Sequence, residues 1–545
     1  MSLLDDIRQT YARIREMGER PVWIHVIPEG ETIARAEALD SALPLYGMTF
    51  GIKDNIDLAG VPTTAGCPEF AYVPGKSATV VEKLMAAGAI PIGKTNLDQF
   101  ATGLVGTRSP YGACSSVFDD RYISGGSSSG SAVAVASGQV SFALGTDTAG
   151  SGRIPASFND LVGLKPTRGA ISTTGVVPAC RTLDCVSILT ENLVDAGRVF
   201  DIARDTTGQR KAWPSKGFRF GVPAENWLRF FGDESARQLY RDAIARMESQ
   251  GGIKVEFGYS IFNDAANLLY SGPWVAERLA AIKDFAAAHP DALHPVTARI
   301  ILGAGSLTAV SAFEAIYKLS GLARAAEREW QRMDFMLLPT AGAAYTHEQI
   351  EANPIALNTN LGYYTNFVNL LDLAALAVPA GMRSNGIPFG VTLIGPAWSD
   401  EALLATASGE YPYCPAGYVP LAVCGAHLTG EPLNFQLQDA KAFLIEACRT
   451  APQYRFYALG GTVPPKPGLF LTPGEGGAID VEVWAVPETT FGRFVAAVPP
   501  PLAIGTCTLE SGRKVKSFLC EPYALADAKE ITHFGGWMQY KQFDK

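Results

Sequence analysis

The segment Gly125–Arg153, GGSSSGSAVAVASGQVSFALGTDTAGSGR, places four serines within its first seven residues and a further one, Ser151, near its end. Between the two glycine-rich ends lie a small-residue helical pattern, SAVAVASG, and an apolar strand pattern, SFALG. A strand that runs into a glycine-rich loop and then into a helix is the repeating unit of α/β folds. The same alternation continues outward on both sides. MTFGIKD (Met48–Asp54), AIPIG, FRFGVP, FMLLP and FGVTLIG read as strands, and TVVEKLMAAG reads as a helix. In that helix Thr79 and Glu82 stand at capping-box spacing, and Gly88 is the expected stop. The fold class expected is α/β, a mixed sheet covered by helices on both faces.

Near residue 410 the pattern changes. GEYPYCPAGYVP reads as a linker, and the chain beyond it is strand-rich: YRFYAL, GLFLTPG, AIDVEVWAVP and a hairpin in IGTCTLESGRKVKSFLCEP turning at Ser511-Gly512. TTFGRFVAAV and ALADAKEI are the helical patterns there. The expectation is two domains, 1–412 and a smaller β-rich unit over 419–545.

Composition narrows the function. The chain has 545 residues, 47% hydrophobic and 18% charged, with net charge −9. An acidic protein of pI near 5.4 lacks the basic face that nucleic acid requires. The N-terminus reads as a charged amphipathic helix rather than a signal peptide, and apolar runs are broken by Gly and Gln, which argues against membrane insertion. Nine cysteines without a C-x-x-C pair point to inert thiols in the cytoplasm, with no metal and no cofactor. GAIPIGKT (Gly88–Thr95) matches the phosphate-loop pattern, but a helix precedes it and Pro91 has no N–H to offer an anion, so it reads as a core strand.

The serines need a base. Of six histidines only His25 precedes residue 289, and no G-x-S-x-G elbow is present, so a Ser–His–Asp triad has no imidazole near these loops. A lysine serves if burial makes it neutral, and Lys53 at the end of an apolar strand is the candidate. On that stretch alone, a surface lysine paired with Asp54 or Asp57 is the competing reading.

GIKDNIDLAGVPTTAG, GGSSSGS and GTDTAGSGRIPA, in this order, resemble the amidase signature family. The resemblance spans roughly residues 20–400. It implies Lys53 as base, Ser127 as a bridging serine held with a cis peptide, and Ser151 as nucleophile. It also implies an oxyanion site formed by the N–H groups of Thr148, Ala149 and Gly150 together with Ser151. Ala149, Gly152 and Ser129 depart from the commoner pattern, and Ser128 and Ser129 are expected to be structural hydrogen-bonders.

For the substrate, LLYSGPWVAERLAAI sets Tyr270 eight residues before Arg278, with Pro273 starting a helix between them. An arginine fork and a phenol suit a small carboxylate, whereas a helix-surface arginine paired with Glu277 is the plain alternative. This segment and the β-rich extension resemble the allophanate hydrolases within the family. That implies allophanate as small-molecule substrate and a homodimer. It further implies a γ-glutamyl cyclotransferase-like barrel in which His427, or its competitor His533, assists decarboxylation of the product. The rival readings are an amidase of malonamate-like substrates, an inactive scaffold and an amidotransferase amidase subunit.

Overall fold

The computed structural model describes residues 3–205, 211–213, 217–408, 418–440, 442–472, 474–510 and 512–543. The chain divides into two compact units, one over Met1–Trp213 and Gly217–Gly409, the other over Glu410–Lys545 together with Pro214–Lys216.

The first unit is built on an eleven-stranded mixed sheet. Its strands are β1 (Trp23–Val26), β2 (Thr49–Lys53), β3 (Ile90–Thr95), β4 (Phe142–Asp147), β5 (Val162–Lys165), β6 (Cys185–Thr190), β7 (Arg219–Pro223), β8 (Ile253–Phe257), β9 (Phe335–Pro339), β10 (Ala374–Met382) and β11 (Pro388–Gly395). They lie in the order β1-β3-β2-β4-β6-β5-β10-β11-β9-β7-β8. The central strands β2, β3, β4, β5 and β6 are buried along their whole length. Burial on both faces explains why they read as continuous apolar runs rather than alternating ones. β2 pairs in parallel with both β3 and β4, with Ile52 opposite Leu144. Parallel pairing brings the C-terminal ends of β2 and β4 to one edge of the sheet, where loops carry chemistry in α/β folds.

The helix Ser129–Ala136 packs against this edge, and all its residues from Ser129 to Val135 are buried. Its small side chains allow that approach: a Cβ added at Gly130 would lie 2.3 Å from the Val22 carbonyl oxygen. The phosphate-loop lookalike is strand β3, and its Lys94 is buried in an ion pair with Asp54 at 3.0 Å.

Two local expectations are corrected. The helix after Ser77 begins at Thr79 itself, with Ala78 as N-cap and no side-chain cap bond, so Thr79 and Glu82 form no capping box. ALADAKEI is not helical: a 3₁₀ turn over Pro522–Leu525 leads into the two-residue strand Lys529–Glu530. The linker GEYPYCPAGYVP falls largely, and Ser511 wholly, outside the described residues.

The second unit holds a five-stranded sheet and a three-stranded one. The first comprises β12 (Tyr418–Val423), β13 (Phe443–Arg449), β16 (Asp480–Pro487), β17 (Leu502–Thr508) and β18 (Lys514–Cys520). The second comprises β14 (Tyr454–Ala458), β15 (Pro467–Leu471) and β19 (Lys529–Glu530). Among the described residues its hydrogen bonding therefore runs through two sheets rather than round one closed barrel. Their shared core includes Leu421, Val423, Phe456, Leu469, Val483 and Trp537.

Among the described residues no single helix is long and apolar enough to cross a membrane. Pro295–Ser306 and Ala309–Trp330 pass such a test only as a pair bent by 101°.

Candidate active site

Lys53 ends β2, Thr146 and Asp147 end β4, and the serine loop leads into the helix Ser129–Ala136. The shared strand edge brings these three segments together. Lys53 is fully buried, and its Nζ donates to Ser127 Oγ at 2.8 Å, Thr146 Oγ1 at 2.8 Å and Ser128 Oγ at 3.0 Å. Burial pushes its pKa down to about 7, partly opposed by Asp98, Asp147 and Asp184 and assisted by Arg278. A surface pairing with Asp54 or Asp57 does not form. Asp54 turns to Lys94, and Asp57 accepts from Thr63 and Tyr72.

The Gly126–Ser127 peptide is cis. The N–H of Asp98 donates to the Ser127 carbonyl at 3.2 Å. Ser151 is 2% exposed, and its carbonyl accepts from the Ser128 N–H at 3.2 Å, which sets the two serine loops side by side.

The loop that carries Ser151 is pinned from below. Arg153 Nε and Nη2 each lie 2.9 Å from Asp147 carboxylate oxygens, a bidentate ion pair fully removed from solvent. The same carboxylate accepts from the N–H groups of Gly150 at 2.8 Å and Gly152 at 3.2 Å. Asp147 is held below the ordinary carboxyl range: burial works against its charge, and Arg153, with Lys165 and the Gly150 N–H, more than offsets it. Thr365 Oγ1 donates to the Ala149 carbonyl at 2.6 Å, and Asn369 Nδ2 to the Asp147 carbonyl at 2.7 Å.

This corrects the oxyanion expectation in part. The Gly150 N–H points to Asp147, so it is spent on shaping the loop. The N–H groups of Thr148, Ala149 and Ser151 have no protein acceptor among the described residues. Gly150 is required for a different reason: its φ is 124°, and an added Cβ would sit 2.4 Å from Thr365 Oγ1.

Arg278 is buried on the helix Trp274–Ala288, with Pro273 as N-cap. Its Nη1 donates to Thr102 Oγ1 at 3.1 Å and to the Ala101 carbonyl at 3.3 Å. Glu277 does not pair with it and instead accepts from Thr182. Burial disfavours the guanidinium charge, but Cys180, Tyr270, Asp184 and Glu277 more than restore it, so its pKa lies above the ordinary value. Tyr270 is half-buried and lines a cavity of about 360 Å³ with Arg108, Val275 and Asn358. Tyr270 and Arg278 thus share one electrostatic neighbourhood, and Arg278 in turn acts on Lys53.

In the second unit His427 follows β12. Its Nε2 lies 2.9 Å from Gln436 Oε1, and its ring stacks on Phe518 at 4.8 Å. It lines a cavity of about 510 Å³. His533 sits exposed in a 3₁₀ turn against Phe534. Of the two histidines, it is His427 that faces this cavity. Among the described residues no group of three His, Cys, Asp or Glu is placed to hold a metal ion.

Thr146 and Ser128, which lie within the motifs, and Asp184, which lies outside them, also build the site. Thr146 and Ser128 hold the lysine amine, and Asp184, taking a 2.6 Å bond from Thr148 Oγ1, fixes the front of the nucleophile loop. For Asp147 and Arg153 the one signal in the sequence is the acid and base flanking Ser151 in TDTAGSGR.

Fold and site define an amidase: the Amidase family model matches residues 5–404, and the chain belongs to this family of amidohydrolases. The model of the allophanate hydrolase C-terminal domain matches residues 419–542. The chain is 42% identical to the urea amidolyase of Lachancea kluyveri over 97% of its own length and 32% of that protein's, and similarly to that of Saccharomyces cerevisiae. It thus spans about a third of the length of these curated relatives. A solved structure of Kluyveromyces lactis allophanate hydrolase superimposes with a TM-score of 0.75 at 40% identity, covering 100% of this chain and 97% of that one. A glutamyl-tRNA(Gln) amidotransferase chain from Prochlorococcus marinus is 32% identical over 75% of this chain and 93% of its own length. The resemblance to amidases with an allophanate hydrolase extension is borne out.

Proposed function

We propose that the chain hydrolyses the terminal amide of allophanate through Ser151, Ser127 and Lys53. The observation that carries this reading is the buried Lys53 amine, poised near neutrality within hydrogen-bond reach of Ser127. Ser151 attacks the terminal carbonyl while its proton passes by Ser127 to Lys53. The Thr148, Ala149 and Ser151 N–H groups receive the developing oxyanion, and Tyr270 and Arg278 anchor the carboxylate. The relay returns the proton to nitrogen, ammonia leaves, and water releases N-carboxycarbamate from the acyl-enzyme. Residues 1–412 perform this step. Residues 419–545 then promote decarboxylation, with His427 delivering a proton to nitrogen.

The matched C-terminal domain favours this reading over a role in an amidotransferase, for which the likeness covers only 75% of the chain. A homodimer in the cytoplasm completes the proposal, and sedimentation would test the assembly. The function is tested by ammonia release from allophanate against malonamate and glutamine, using wild type and Ser151→Ala. Allophanate should be preferred, and the variant should stay folded and release none. A preference for malonamate, or turnover by the variant, overturns it.

A further inference from the structure

The cavity beside His427 holds more than a proton donor. Its wall includes Lys466 and Arg493, and neither has an ion-pair partner among the described residues. Lys466 lies close enough to act electrostatically on His427, whose pKa burial already lowers. Asp439, exposed as Arg493 is, is the one acidic residue in the lining, so cations outnumber anions two to one. Phe494, Leu502 and Phe518 give the lining an apolar wall as well, and Phe518 stacks on the imidazole. A cavity whose lining combines two cations, an apolar wall and an imidazole suits a ligand bearing two carboxylates that need different treatment.

We infer that Lys466 and Arg493 form a carboxylate clamp that holds the retained carboxylate of a small dicarboxylate, leaving the departing one against the apolar wall. This rests on the reading that residues 419–545 act on N-carboxycarbamate. In that molecule one nitrogen joins two carboxylates. Decarboxylation breaks the bond from nitrogen to the departing carbon, the electron pair passes to nitrogen, and one proton joins it there, leaving carbon dioxide and carbamate. The clamp fixes which carboxylate stays charged. The apolar wall favours the conversion of the other from an anion to neutral carbon dioxide, since a low-dielectric surface disfavours the charged form more than the neutral product.

Malonate replaces the bridging NH by CH₂ and cannot decarboxylate by this route, which makes it the probe. In full-length protein carrying histidine labelled at Cε1, malonate should shift the His427 resonance, and neutral malonamide should not. Lys466→Met and Arg493→Met should each weaken that malonate response by about tenfold or more, as expected for loss of one charged contact. Lys466→Arg and Arg493→Lys should largely retain it. Malonate titrations that both methionine variants leave unchanged overturn the clamp. So does equal weakening by the charge-preserving variants. Failure of the underlying reading looks different: malonate binding would keep its dependence on the two cations, while His427→Ala would leave the decay of ¹³C-labelled N-carboxycarbamate unaltered.

Discussion

Asp147 and Arg153 clasp each other across the proposed nucleophile, with Ser151 on the loop that their bidentate pair closes. The pair is fully buried, so its members cannot be removed singly without leaving an uncompensated charge in the core. Arg153→Met should destabilise the protein by about 3–5 kcal/mol, and Asp147→Asn by a similar amount. Chemical denaturation would measure it. A loss below about 1 kcal/mol in both variants would show that the charges are not buried as described.

In the proposed relay Lys53 sets the pH dependence. Its pKa is lowered to about 7, and in the proposed relay the neutral amine is the reactive form. The rate therefore rises with pH and levels off above about 7, and on the acid side kcat/KM falls about tenfold per unit. Because the Arg278 charge lowers the lysine pKa, Arg278→Ala should move this limb to higher pH as well as slowing the reaction. Lys53→Arg, charged throughout, should be inactive across the range. A flat profile between about pH 5 and 8 would sink the lysine relay.

Arg278 should discriminate by charge. Replacing it with alanine should cost about 1.5–3 kcal/mol in transition-state binding of allophanate, roughly one to two orders of magnitude in kcat/KM. A neutral amide of similar size should lose far less. Equal losses on both substrates would assign the residue to holding Ala101 and Thr102 in place.

Gly150 should tolerate nothing larger. Gly150→Ala forces a Cβ into Thr365 at a backbone angle that side chains rarely adopt. The cost expected is about 1–3 kcal/mol in stability, together with lost amide hydrolysis as the loop shifts. The double variant Gly150→Ala with Thr365→Ser keeps the offending hydroxyl and should not recover, whereas Thr365→Ala in the same background should recover partly. Recovery in neither would place the strain in the backbone angle alone.

The features legible in the sequence are those that depend on local pattern. Strands β2, β3, β4, β7, β9 and β11 show as apolar runs, and the serine loops stand out by composition. Lys53 is ambiguous until the three motifs are taken together, because its neutrality depends on burial that no short stretch reveals. Ser128 is structural, as its place in the motif suggests, since it bonds to Thr146, but it also touches the lysine amine. Gly150 looks like an oxyanion donor because glycine loops expose N–H groups. The carboxylate that captures this one lies only three residues back, and its direction is a matter of loop shape. Thr79 fails as a cap because the helix begins one residue earlier than its spacing suggests, which leaves the threonine inside the first turn. ALADAKEI has helical composition, but Ile531 and its neighbours are recruited by the edge of β14, and pairing across strands overrides local preference.

β2 ends at Lys53 and the chain turns at Asp54, which separates two charges that the sequence sets side by side. Asp54 pairs with Lys94, whereas the carboxylates that weigh most on Lys53 are Asp98, Asp147 and Asp184, all far along the chain. The turn thus directs the nearest acid in the sequence to Lys94 rather than to the proposed base. Had the carboxylate faced the same side, its field would have kept the amine protonated, and a resting lysinium accepts no proton from serine. The lysine of the phosphate-loop lookalike acquires a purpose on these terms: Lys94 engages the acid that the sequence sets beside the proposed catalytic amine.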